Sequence, residues 1–292
     1  MTRGCGGWRV RFLTYVLVLL PAAATRADVA EHPSLLRALG DDLTYLVDNV
    51  QLDAEDIVTA PFHVASPDSI LRAPRFYLGV VGAGAVFGGA FALDQTLRSQ
   101  LHNMSSSDAD LLQSISYVSI GASSALLYGH GLYSDEARAR EYILTGGEGA
   151  RIASLLDVGI KAAFGRLRPY QDGHSHTAFF RGGASFVSGD ATPMFALATG
   201  VSEYFDNTWY VAAPVYSLAM LDGIGRMGHD AHWFSDVIGA GLLGWGTTEL
   251  FLYLHQQHAA EPDRWRILPL DAPAPAGRDP QAPVGLAVGY TW

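Results

Sequence analysis

Residues 225–241 read "GRMGHDAHWFSDVIGAG". Arg226, His232 and Asp236 stand in order, and the apolar, glycine-rich run that follows them reads as the opening of a long helix. His232 and Asp236 are four residues apart, so on a helix they share a face one turn from each other. An aspartate so placed accepts a hydrogen bond from one ring nitrogen, which fixes the tautomer and leaves the other free to attack. A His/Asp pair that simply caps a helix is the competing reading. Arg226 is expected in a loop or at a helix start. His229 competes as the nucleophile but lies seven residues from Asp236.

Two further clusters lie upstream. "KAAFGRLRPY", residues 161–170, carries Lys161 and Arg168 two helical turns apart, with Pro169 as the expected stop of that helix. Arg166 adds charge but points elsewhere on a continuous helix. Taken alone, the cluster also fits a basic helix C-terminus that complements the macrodipole. "GASFVSGDATP", residues 183–193, puts Ser188 and Gly189 at the mouth of a helix. N–H groups at a helix start carry partial positive charge and bind phosphate oxygens, and glycine lets backbone approach a ligand closely. A plain serine N-cap is the alternative. Asp190 follows directly, where an acid repels an anion.

The rest of the chain sets the frame. Between residues 28 and 75 acidic punctuation suits short helices covering the main body. "FYLGVVGAGAVFGGAFAL", residues 76–93, has no charge, and its small residues permit close helix contacts in a core or a membrane. "SSSDAD" gives an N-cap signal for the next helix. A helix over about 135–164 is expected to break at Gly146-Gly147. "SEYFDN" turns the chain between two antiparallel helices. About six helices and no convincing strand result, an all-α bundle. After His258 the chain becomes Pro-rich, and residues 266–270 and 284–292 are expected to pair as a short terminal β-hairpin. At the other end, Arg3, Arg9 and Arg11 precede "FLTYVLVLL" and then small residues, the order of an export signal. The expected organisation is a signal over 1–27, a helical domain over 28–258 and a C-terminal extension over 259–292.

Composition excludes some chemistry. A net charge of −10 argues against nucleic acid as a partner. Cys5 is the only cysteine and lies inside the presumed signal, so Cys-ligated metal and disulfides are not expected in the exported chain. No HExxH-like spacing appears, and no metal cofactor is expected.

Together the clusters read Lys-x6-Arg-Pro, then Ser-Gly, then Arg-x5-His-x3-Asp. The chain resembles the type 2 phosphatidic acid phosphatase and vanadium haloperoxidase superfamily over roughly residues 75–255. The resemblance implies that Lys161, Arg168 and Arg226 grip a phosphate, helped by Ser188 and Gly189. It implies that His232 is the nucleophile, that Asp236 is its partner, and that vanadate binds as a phosphate mimic. The physics agrees, since phosphoryl transfer needs charge neutralised on three non-bridging oxygens and an in-line nucleophile. The expectation is an exported, metal-independent phosphatase of the envelope or periplasm. It acts on phosphate or diphosphate monoesters, plausibly lipid-linked, through a phosphohistidine, with a membrane surface as partner. One departure stands out. Val187-Ser188-Gly189-Asp190 occupies the place of the family's Pro-Ser-Gly-His, whose histidine protonates the leaving group. A free aspartate titrates near 3.9, a poor match for acid catalysis at neutral pH. Asp190 kept protonated in the site, His174, His176 or His229 as a substitute acid, and a weakly active or non-catalytic phosphate or lipid-headgroup binder are the three outcomes left open. A vanadate-dependent haloperoxidase ranks behind these, because the same histidine is missing there.

Overall fold

The computed structural model describes residues 35–59, 74–172, 176–260, 266–267 and 288–289. The expected export signal lies outside them. Eight helices are described: α1 (Leu35–Thr59), α2 (Pro74–Leu101), α3 (Ser106–Tyr133), α4 (Ala137–Phe164), the single turn α5 (Pro169–Asp172), α6 (Ala191–Tyr204), α7 (Trp209–Gly228) and α8 (Phe234–Ala260). The protein is an all-α bundle, as expected, with seven long helices rather than six. Arg266–Ile267 (β1) pairs antiparallel with Val288–Gly289 (β2). The rest of the anticipated hairpin lies outside the described residues.

The bundle is organised around α6. It packs against α4, α8, α7 and α3, while α3 and α7 pair along their lengths. Val187, Phe195, Val201, Val215, Met227 and Val237 lie in the core. Small residues set the spacing between α4 and α6. A Cβ on Gly200 would fall 2.7 Å from the Tyr142 carbonyl oxygen and 3.2 Å from the Gly146 Cα. Gly146 and Gly147 therefore do not break α4, which runs unbroken through both. A helical glycine costs about 1 kcal/mol, and at Gly146 that cost is offset by burial against α6.

Local chemistry fixes the ends. Ser105 caps α3 by accepting the Asp108 N–H at 3.1 Å. Asp206 and Asn207, both with φ of 53°, turn the chain from α6 into α7. α4 stops at Gly165, which is left-handed at φ 50° and ψ 37° and donates its N–H to the Lys161 carbonyl. Glycine rather than Pro169 is the stop signal. Arg168 therefore lies beyond the helix, and the reading that places it on one helical face with Lys161 fails. The stretch expected to hold short helices contains the 25-residue α1. This helix is inverted. Ala38, Asp42, Asn49, Leu52 and Asp53 are buried, while Leu36, Leu39, Leu43, Val47, Val50 and Ile57 are exposed.

If the α4–α6 contact sets the bundle, Gly200→Ala should destabilise by about 1–3 kcal/mol through overpacking. Gly147→Ala has open space around its Cβ and should be neutral or slightly stabilising. Urea midpoints of the two variants check the pair.

Candidate active site

The site is built on a buried ion cluster. After Gly165 turns the chain out of α4, the next residue drives its side chain inward. Arg166 is fully buried. Its Nη1 donates to Asp236 Oδ1 at 2.5 Å and to Ser235 Oγ at 2.7 Å. Its Nη2 donates to Asp94 Oδ2 and to the His176 carbonyl, both at 2.6 Å, and its Nε reaches the same carbonyl at 3.1 Å. The Phe91, Phe179 and Trp233 rings flank the guanidinium. Asp94 also accepts the Ser235 N–H and hydroxyl at 2.7 Å each. A guanidinium is held this deep only when its donors are satisfied. The cluster joins α2, the 165–168 turn and the start of α8.

That cluster positions the histidine. His232 stands two residues before α8 begins, so helical spacing does not set its relation to Asp236. The His232 Nδ1 lies 2.8 Å from the Ser185 carbonyl oxygen and 3.7 Å from Asp236 Oδ2. At 3.7 Å no hydrogen bond forms. A carbonyl oxygen only accepts, so Nδ1 carries the proton and the backbone of Ser185, not Asp236, sets the tautomer. Nε2 is left as the free nitrogen. Asp236 acts one step back: its Oδ2 accepts the Ser185 hydroxyl at 2.5 Å and the Trp233 N–H at 2.9 Å. Burial raises the pKa of its carboxyl, but His232, Arg166 and Ser185 together bring it below the ordinary value. A fixed anion thus lies beside the imidazole.

The Ser-Gly cradle is tied to both other clusters. The Ser188 N–H donates to the Asp236 carbonyl at 3.1 Å, and the Ser188 carbonyl accepts the Thr192 N–H and hydroxyl. Ser188 Oγ is buried without a hydrogen-bond partner. A Cβ on Gly189 would fall 2.7 Å from Lys161 Nζ and 2.9 Å from Asp157 Oδ2, so only glycine brings this backbone against the lysine. Lys161 is itself held by Asp157 at 2.5 Å. Arg226 lies in the last turn of α7, not in a loop, and its Nε is 3.1 Å from Asp190 Oδ2, an ion pair without the alignment of a hydrogen bond. Asp190 occupies the N-cap position of α6, yet its side chain makes no cap bond and reaches across to Arg226 instead. The segment of Arg168 is tied to the approach to α8, while its guanidinium lies 6.0 Å from the Tyr170 ring centre. The Trp233 indole donates to the Leu167 carbonyl at 3.0 Å, and the Tyr170 N–H to the Asp230 carbonyl at 3.1 Å.

Lys161 and Arg226 are thus each held by an aspartate beside the α6 mouth, and the Ser188 N–H ties that mouth to Asp236, the residue behind the histidine. Asp94, Asp157 and Ser185 had no motif to announce them. Asp94 had one weak signal, an acid that closes the charge-free run of residues 76–93. Arg166 was expected to point away and is instead the centre of the cluster. Asp222, one turn before Arg226 on α7, was also missed. It is fully buried, neither carboxylate oxygen has a well-formed hydrogen bond, and burial with the nearby Asp190 charge raises its pKa to about 6. Among the alternative acids, His229 is paired to Asp110 at 2.9 Å. His176 packs against Phe91 and Trp233, 3.3 Å from Gln95. His174 lies outside the described residues.

Residues 147–260 match the model of the PAP2 superfamily, a span that contains Lys161, Arg168, Ser188, Gly189, Asp190, Arg226, His232 and Asp236. No curated protein and no solved structure matches the chain.

Asp222 gives a pH test with a defined sign. The folded protein binds its proton more tightly than the unfolded chain, so its favourable contribution is present below about pH 4 and is lost as pH rises through about 6. Asp222→Asn carries no such charge. Its stability relative to wild type should improve by about 2 kcal/mol between pH 4 and 7, read from urea unfolding at both pH values.

Proposed function

We propose, from the membership of residues 147–260 in the PAP2 superfamily, that this protein is a metal-independent phosphatase. It acts on phosphate or diphosphate monoesters at the envelope membrane of an exporting cell. The observation that carries the reading is the join of the three clusters: Gly189 against Lys161, Ser188 on Asp236, Asp190 on Arg226, and His232 with its tautomer fixed. The buried, unpartnered Ser188 hydroxyl adds a free polar group to the cradle. By this reading Lys161, Arg168 and Arg226 hold the non-bridging oxygens, with the Gly189 backbone at the α6 mouth. His232 Nε2 forms the P–N bond as the P–O bond to the leaving alcohol breaks, and the leaving oxygen takes a proton. Water then attacks phosphorus, the P–N bond breaks and phosphate departs. The Asp236 anion stabilises the positive charge that His232 gains.

A lipid-linked substrate is supported by the surface. Tyr77–Leu101 and Phe234–Ala260 are each long and apolar enough to cross a membrane. Leu36, Leu78, Val81 and Val118 are each about 70% exposed or more. Apolar side chains in such numbers suit a chain lying against lipid.

A second reading, a weakly active or non-catalytic phosphate binder, is favoured by one observation. Asp190 takes the sequence place of the family's acid histidine and is ion-paired to Arg226, so by this reading a phosphate must displace a carboxylate to reach that cation.

His232→Ala should abolish release of a chromogenic alcohol from its phosphate ester, and retained turnover would sink the nucleophile assignment. Asp190→His should raise kcat by tenfold or more, in the range general acids contribute, and move the optimum towards neutral pH. If the variant gains nothing, another group already supplies the proton.

A further inference from the structure

A second cluster of ionisable groups lies far from the phosphate cradle. His255 stands nineteen residues beyond Asp236 on α8, about 28 Å along the helix axis. Its Nε2 is 2.9 Å from Asp53 Oδ2 on α1 and 3.4 Å from Glu148 Oε2 on α4. One donor atom from each residue lies within 4.8 Å of the other two, and all three residues are buried. Two carboxylate oxygens here, Asp53 Oδ1 and Glu148 Oε2, are buried without a hydrogen-bond partner. Their side chains are only 3% and 7% exposed.

We propose that Asp53, Glu148 and His255 form a binding site for one divalent transition-metal cation, which clamps α1 to α4 and α8. The inner face of α1 is polar, so the helix cannot be held by apolar burial alone. Two carboxylates meeting one imidazole in a buried pocket leave negative charge that a cation neutralises. Donors 2.9 and 3.4 Å from the His255 Nε2, and within 4.8 Å of each other, surround a space that small side-chain shifts bring to the 2.0–2.2 Å of Zn²⁺ to nitrogen and carboxylate ligands. One imidazole with two carboxylates suits Zn²⁺ or Mn²⁺. The support behind the ligand is also in place. His255 Nδ1 lies 2.8 Å from the Tyr45 hydroxyl and 3.1 Å from that of Thr145, which orients Nε2 towards the carboxylates. His258 flanks the cluster, with Nδ1 3.8 Å from Asp53 Oδ1 and Nε2 2.8 Å from Asp56. This site is independent of the phosphate chemistry, and it departs from the sequence reading, which expected no metal.

The test uses the full chain in detergent, stripped with a chelator and titrated with Zn²⁺ or Mn²⁺ alone. Calorimetry should give one tight equivalent, and thermal unfolding should move up by several degrees on loading. Glu148→Gln and Asp53→Asn should each weaken that binding at least tenfold, while His232→Ala binds as wild type does. The proposal is overturned if the stripped protein takes up neither metal at a defined stoichiometry. It is equally overturned if Glu148→Gln binds with wild-type affinity, or if metal leaves the unfolding temperature unchanged. A cluster neutralised by protons alone would give the last result, with Glu148→Gln as stable as the metal-treated wild type.

Discussion

The site depends on one buried guanidinium. Arg166 joins Asp94 of α2 to Asp236 at the head of α8, and the His176 carbonyl and Ser235 hydroxyl complete its shell. Without that cation, Asp94 and Asp236 would face each other as uncompensated buried charges, a loss of several kcal/mol in comparable buried pairs. With it, Asp236 has a fixed orientation, and its remaining oxygen can hold Ser185. Ser185 in turn presents the carbonyl that sets the His232 tautomer. His232 is thus positioned through a chain of hydrogen bonds that begins at Arg166, two residues from Arg168.

The electrostatic character of the cradle follows from how its cations are occupied. Lys161 is held by Asp157 and Arg226 by Asp190. Each aspartate keeps its cation in place, and by the proposed reading a phosphate reaches either cation only by displacing or accommodating a carboxylate. The acid beside the anion cradle is therefore a partner of the third cluster, reached across the site. Asp222 lies behind that pair and retains a proton to about pH 6, which keeps a second full negative charge from building beside Asp190 in mildly acidic conditions.

At the other end of the bundle the forces are reversed. α1 turns its leucines outward and its aspartates inward, and it is fastened by polar contacts. Asp42 receives the Arg140 guanidinium at 2.8 Å and the Tyr128 hydroxyl at 2.7 Å. The outward apolar stripe and the exposed face of α2 suit a low-dielectric surrounding, where the same inward hydrogen bonds gain strength because water does not compete for them.

The sequence by itself determined the all-α class, the helix mouth at Ser188-Gly189, the Ser105 cap, the Asp206-Asn207 turn, and the grouping of Lys161, Arg168, Arg226, His232 and Asp236 into one family pattern. These are short-range signals: periodicity, caps and motif spacing act within a few turns of chain. Only the tertiary structure decided that Gly165 ends α4, that Gly146 is a contact with Gly200 and not a break, and that Ser185 rather than Asp236 directs the histidine. It alone brought Asp94 and Asp157 into the site, aimed Arg166 inward and set Asp190 on Arg226. The reason is physical. A buried charge is placed by whichever opposite charge the fold delivers to it, and Asp94, Arg166 and Asp236 lie far apart in the chain with no spacing to link them. Helical periodicity reports which face a residue occupies, but it carries no information once the helix has stopped, and Arg166, Asp190 and His232 sit one or two positions past a helix end or before a helix start.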